Sequence, residues 1–86
     1  MKTIRFTEHA KYEMKRRSID TRWVVEAVSS PDEIQQVDIK RKIYQKMVLL
    51  SGTAYLLRVI IDWIENEMVV VTVYRTSKIE KYRGKV

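Results

Sequence analysis

The sequence predicts a single α+β domain: an N-terminal αα-hairpin packed on a three- to four-stranded antiparallel β-meander, with a short C-terminal helix or arm. Three observations carry this. Apolar residues recur at helical spacing up to Ser30. Beyond Pro31 they alternate or run in β-branched blocks. The joints between segments are short, which favours antiparallel neighbours.

Met1 to Phe6 is short and mixed, and reads as a brief edge strand or an extended lead-in. Thr7 is placed to cap a helix, with Glu8 in the first turn. Phe6, Ala10 and Met14 repeat every four residues, and Lys15, Arg16 and Arg17 complement the dipole at the far end. After a break at Ser18-Ile19, Asp20 or Thr21 caps a second helix, TRWVVEAVSS. Its buried face is Trp23, Val24, Ala27 and Val28, and Pro31 ends it.

DEIQQVDIK is a weak, polar strand. RKIYQKMVLL alternates, with Ile43, Gln45, Met47 and Leu49 on one face. Ser51-Gly52 is the clearest turn signal. YLLRVIIDWI and MVVVTVY are strong strands joined through Glu65-Asn66. The tail RTSKIEKYRGKV is basic, and forms either a short helix after Ser77 or a loose arm. With both helices on one face of the sheet, the opposite face is expected to be open to a ligand.

The 86 residues (1–86) suffice for one small core. There is no cysteine, which removes disulfides and Cys-based zinc sites. No apolar run reaches signal-peptide or membrane-span length, so a cytoplasmic protein without a membrane partner is expected. Net charge is +6, and the pI of about 9.7 points to nucleic acid as partner.

His9 is the only histidine. It shares one side of a helix with Glu13 and with Arg16 or Arg17, a combination suited to proton transfer and anion binding. Spacing alone favours a plainer reading, a surface helix with a Glu13–Arg17 pair. No spacing resembles a metal site, and no cofactor is implied. With glycine only at Gly52 and Gly84, a phosphate loop is excluded. No Ser-His-Asp arrangement is present either.

Arg58 interrupts the apolar strand LLRVII. It either presents a guanidinium to phosphate, or snorkels, or pairs with Asp62. Tyr74, Arg75, Thr76, Ser77 and Lys78 put a phenol, hydroxyls and cations at a strand end. A two-residue turn at Glu65-Asn66 sets Arg58 opposite Val73, whereas a three-residue turn sets it opposite Tyr74. Lys40, Arg41 and Lys42 are a solvated turn or an addition to a phosphate-binding surface.

His9-Ala10, Met14, Arg17, Ile19, Pro31 and the closing strand VVVTVYRTSK together resemble the domain-of-unknown-function 4258 family of small prokaryotic proteins. That family is grouped by remote similarity with the RelE-like and barnase-like ribonuclease fold, whose members are often toxins that cut RNA without metal. The resemblance points to His9, Arg17, Thr72 and Tyr74. The sequence departs from the pattern at Glu13, where a basic residue is expected; a carboxylate there pairs with Arg17, serves as a base, or weakens phosphate binding.

The resulting expectation is a metal-independent endoribonuclease that uses the RNA 2′-OH as nucleophile. His9, Arg17, Arg58 and Tyr74 are its catalytic candidates. Arg16, Lys40, Arg41, Arg75, Thr76 and Lys78 are its RNA-binding candidates. Its partners would be RNA, with ribosome association open, and an acidic antitoxin protein. The alternatives are a non-catalytic nucleic-acid-binding module and a protein-interaction module; the latter would expose an apolar patch around Trp63 and Met68.

Overall fold

The computed structural model describes residues 3–82. Its elements are β1 (Thr3–Phe6), α1 (Glu8–Arg16), α2 (Thr21–Ser29), β2 (Glu33–Gln36), β3 (Arg41–Leu50), β4 (Thr53–Ile64), β5 (Glu67–Thr76) and α3 (Ile79–Tyr82). Five strands form one sheet in the order β1-β5-β4-β3-β2. The pairs from β2 to β5 are antiparallel, while β1 lies parallel to β5. This corrects the expected topology. The sheet is mixed and five-stranded, not a three- to four-stranded antiparallel meander.

The expected N-terminal αα-hairpin is also overturned, and the strand order gives the reason. β1 and β2 occupy opposite edges, about 19 Å apart at ~4.8 Å per strand spacing. The segment joining them must cross the whole sheet. It does so as two helices over different strands, with α1 on β5 and α2 on β3 and β4.

Local chemistry sets each helix end. Thr7 accepts from the Ala10 amide at 3.0 Å, and Asp20 accepts from the Arg22 amide at 2.8 Å. Ser18, at φ 55°, ends α1 in the left-handed region. The Ser18 amide donates to the Lys15 carbonyl, and the Ile19 amide to the Met14 carbonyl. These two bonds form a Schellman motif, and its hydrophobic closure joins Ile19 to Met14 in the core.

The core lies between the helices and the inner sheet face. It joins Ala10, Met14, Val24 and Ala27 to Leu57, Val59, Ile61 and Val70. Met68 is buried within it, and the half-buried Trp63 packs against it.

Both long hairpins turn in two residues. Ser51 and Gly52 have φ of 50° and 81°, the type I′ signature; at the second turn only Glu65 is positive, at 57°. Between Ile60 and Ile61 the register slips: Ile61 pairs with Val70 but Ile60 with Thr72. The extra residue is a β-bulge in β5. It sets Arg58 opposite Tyr74 although the turn has only two residues.

A candidate site on the outer sheet face

Three register pairs line up across four strands: Glu33 with Gln45, Gln45 with Arg58, and Arg58 with Tyr74. Partners in register share a face, so these four side chains form one polar row on the face away from α1 and α2. Arg58 sits at its centre, 7 % exposed. Its Nε donates to Gln45 Oε1 at 2.9 Å and its Nη2 to Gln35 Oε1 at 2.9 Å. Its Nη1 donates to the Tyr74 hydroxyl. The nearest carboxylate it reaches is one amide away, since Gln45 Nε2 donates to Glu33 Oε1 at 2.6 Å.

The outer face is covered at this point. The Tyr82 ring of α3 lies over the Arg58 guanidinium at 4.3 Å and meets the Tyr74 ring edge-on at 6.3 Å. The Tyr82 carbonyl accepts from Gln35 Nε2 at 2.8 Å and from Gln45 Nε2 at 3.0 Å. The tail therefore forms a short helix up to Tyr82, and the expectation of an open face is corrected over this row, while Met47 and Leu49 on the same face are exposed. Its further basic residues, Arg83 and Lys85, lie outside the described residues, as do Met1 and Lys2.

Arg17 reaches the cluster around an open edge. β1 pairs only with Glu67 to Val70 of β5, which leaves the later part of β5 without a strand on that side. The Arg17 guanidinium lies 5.9 Å from the Tyr74 ring centre. Its Nη2 also donates to Glu13 Oε1 at 2.9 Å, while Arg16 makes a two-point contact with the same carboxylate at 3.0 and 3.1 Å. The Arg16 hydrogen bond, then that of Arg17, holds the Glu13 carboxyl at a pKa of about 2, against burial, which raises it. Glu13 is thus a fixed anion at neutral pH and a poor base.

Of the four catalytic candidates, Arg17, Arg58 and Tyr74 come together. His9 does not. It is exposed, and its side chain makes no hydrogen bond or ion pair among the described residues. It precedes Arg17 by eight residues, about 12 Å along α1 at 1.5 Å per residue.

The RNA-binding candidates scatter. Arg16 is beside the cluster, on Glu13. Arg75 turns to the helix face, where Nη1 donates to the Arg17 carbonyl and the guanidinium lies over Tyr55. Thr76 accepts from the Lys78 amide, and Lys78 is exposed. Lys40 is exposed; Arg41 pairs with Asp62 at 2.7 Å, so Asp62 is the partner of Arg41 and not of Arg58. That hydrogen bond lowers the Asp62 pKa. Both lie about 13 Å along β3 from the Gln45 row, at four residues of ~3.3 Å each. Thr72, opposite Ile60, is half-buried.

Sequence reasoning missed Gln35, Gln45, Glu33 and Tyr82 as parts of the site. One signal for Gln45 is in the sequence: a lone amide among Ile43, Met47 and Leu49 on an alternating strand. The described residues contain no group of three or more His, Cys, Asp or Glu placed to hold a metal ion, and no helix long and apolar enough to cross a membrane. No curated protein and no solved structure matches the chain. Residues 6–75 match the family described as a domain of unknown function, DUF4258, and the chain belongs to that family.

Proposed function

We propose that the chain is a metal-independent endoribonuclease, of the RelE-like and barnase-like kind with which its sequence pattern is grouped, and that Tyr74 rather than His9 is its proton donor. The observation that carries this reading is Arg58. A buried charge is normally paired with an opposite one. Arg58 instead has two amides, a phenol and two aromatic faces as its direct partners. Guanidinium is also the group best shaped for phosphate.

A phosphodiester beside Tyr74 would lie between Arg17 and Arg58, whose charges would oppose the negative charge that develops on phosphorus. The RNA 2′-oxygen bonds to phosphorus and its proton passes to water. The bond to the 5′-oxygen breaks, and that oxygen takes the Tyr74 proton. Because Arg58 donates to the Tyr74 oxygen, the phenol's own proton is left to point elsewhere. The products are a 2′,3′-cyclic phosphate and a 5′-hydroxyl, and DNA is not a substrate.

The test is RNA cleavage in excess EDTA with analysis of the ends. Tyr74→Phe should lose about 10²- to 10⁴-fold in rate, while His9→Ala keeps the parent rate. A requirement for added metal, or undiminished cleavage by Tyr74→Phe, defeats the proposal. The exposed cations Lys40 and Lys78 favour one rival, a basic nucleic-acid-binding module without catalysis. Its mark is RNA retention that weakens steeply with salt, with no cleavage.

A further inference from the structure

We propose that Tyr82 fills, from within the chain, a site for a nucleobase, and that single-stranded RNA enters by displacing α3. The inference rests on RNA being the ligand, but not on its being cut.

The first observation is how α3 is held. Its four residues bury none of their number. A single helical turn has no stability of its own. Ile79 and Tyr82 are half-buried, and Tyr82 supplies the ring contacts and hydrogen bonds with the sheet: its ring on Arg58, its ring edge against Tyr74, and its carbonyl on Gln35 and Gln45. Released there, α3 swings on Ser77 and Lys78, both exposed.

The second observation is what those contacts are. Proteins hold an unpaired base by stacking it on a guanidinium or aromatic plane and hydrogen-bonding its edge. Arg58 offers the plane at 4.3 Å, and Tyr74 offers an aromatic edge. The Gln35 and Gln45 amides aim two N–H donors at one carbonyl oxygen, at 2.8 and 3.0 Å. A base with a keto oxygen, uracil, guanine or cytosine, satisfies that pair of donors. Adenine offers no keto oxygen. An incoming keto base would therefore replace the Tyr82 contacts in kind, and the Gln45 N–H released by the Tyr82 carbonyl, beside the one held by Glu33, would again find an acceptor.

The consequence is self-competition. A ligand that binds only when α3 is off has its affinity reduced by the fraction of time α3 is on. The test uses the full chain and its Tyr82→Ala and Tyr82→Phe variants. Binding of labelled 2′-O-methyl oligouridylate and oligoadenylate, which the 2′-OH mechanism cannot cut, is read by fluorescence anisotropy in EDTA. Tyr82→Ala should bind oligouridylate roughly two- to thirtyfold tighter than the parent, the range for a ring–guanidinium contact. Tyr82→Phe, which keeps the ring, should stay within about twofold of the parent. Oligouridylate should be preferred over oligoadenylate throughout.

Equal or weaker binding by a folded Tyr82→Ala overturns the proposal, because Tyr82 is then a wall of the site and not its occupant. If that variant does not fold, hydrogen exchange of the parent decides. Saturating oligouridylate should strip protection from residues 79–82, and unchanged protection counts against displacement. Binding without cleavage of ordinary RNA sinks the nuclease reading and leaves this one standing. Failure of all three proteins to bind either oligonucleotide sinks both.

Discussion

Gln45→Met isolates the energetics of the polar row. Gln45 is fully buried, and its amide joins Arg58, Glu33 and the Tyr82 carbonyl. Methionine keeps the volume, so the cost of a cavity is small. What is lost is hydrogen bonding. Arg58 Nε is stripped of its acceptor inside the sheet, and a bond to a charged group contributes about 1.5–3 kcal/mol. Glu33 is half-buried and rehydrates in part, while the Tyr82 carbonyl keeps Gln35 at 2.8 Å. These losses add roughly 0.5–1 kcal/mol. The expected destabilisation is about 2–4 kcal/mol, which for a domain of this size lowers Tm by at least 8 °C or so.

The double variant separates the charge from its acceptor more sharply. Arg58→Met added to Gln45→Met removes the orphaned charge with its acceptor, and replacing both partners by apolar groups is far less costly than removing one. Urea unfolding followed by circular dichroism and by the Trp23 and Trp63 fluorescence should give a coupling of about 1.5–3 kcal/mol in this cycle. Additivity within about 0.5 kcal/mol would refute the hydrogen-bonded row.

Three further outcomes follow from the described contacts. Glu13→Gln removes the anion that ties Arg16 and Arg17, so RNA should bind more tightly and its log–log salt slope should steepen by about 0.7 for each new phosphate contact; an unchanged slope would mean that these arginines do not meet RNA. Glu13, Asp20 and Asp62 all have folded pKa values lowered by arginine partners or backbone amides, Glu13 from 4.5 to about 2. Their contribution to stability is full above the unfolded values and is lost as pH falls, so Tm should drop between pH 4.5 and 2, and less so in Glu13→Gln. Ser18→Gly relieves a left-handed residue at the end of α1 and should raise stability by about 0.5–1 kcal/mol in thermal unfolding, whereas a loss would show that the serine side chain matters there.

The elements that the sequence made legible are those with local causes. Thr7 and Asp20 cap their helices, the apolar period selects the buried faces, and Ser51-Gly52 turns the first hairpin. β1 was not legible as a parallel strand for the opposite reason. Thr3 pairs with Glu67, and nothing within four mixed residues announces a partner beyond two helices and three strands. The αα-hairpin failed with it, because only the positions of β1 and β2 at opposite edges force the helices apart.

The site depended on one residue of slippage. Counting back from a two-residue turn sets Arg58 against Val73, on the reasoning that strands pair without interruption. The bulge at Val71 breaks that count and moves Tyr74 into the row instead. β-branched runs such as VVVTV carry no mark of where a bulge falls, so alternation could identify the strand and not its partner. A buried glutamine and a buried arginine on the same face of two adjacent strands were the available clue. Each alone is costly to bury. Placed in register, each satisfies the other, and the pairing of β3 with β4 is then favoured in the one alignment that joins them. The polar row thus serves the fold by fixing register while keeping a guanidinium beside Tyr74. Purely apolar residues at 45 and 58 would supply the packing, but neither the register signal nor the charge.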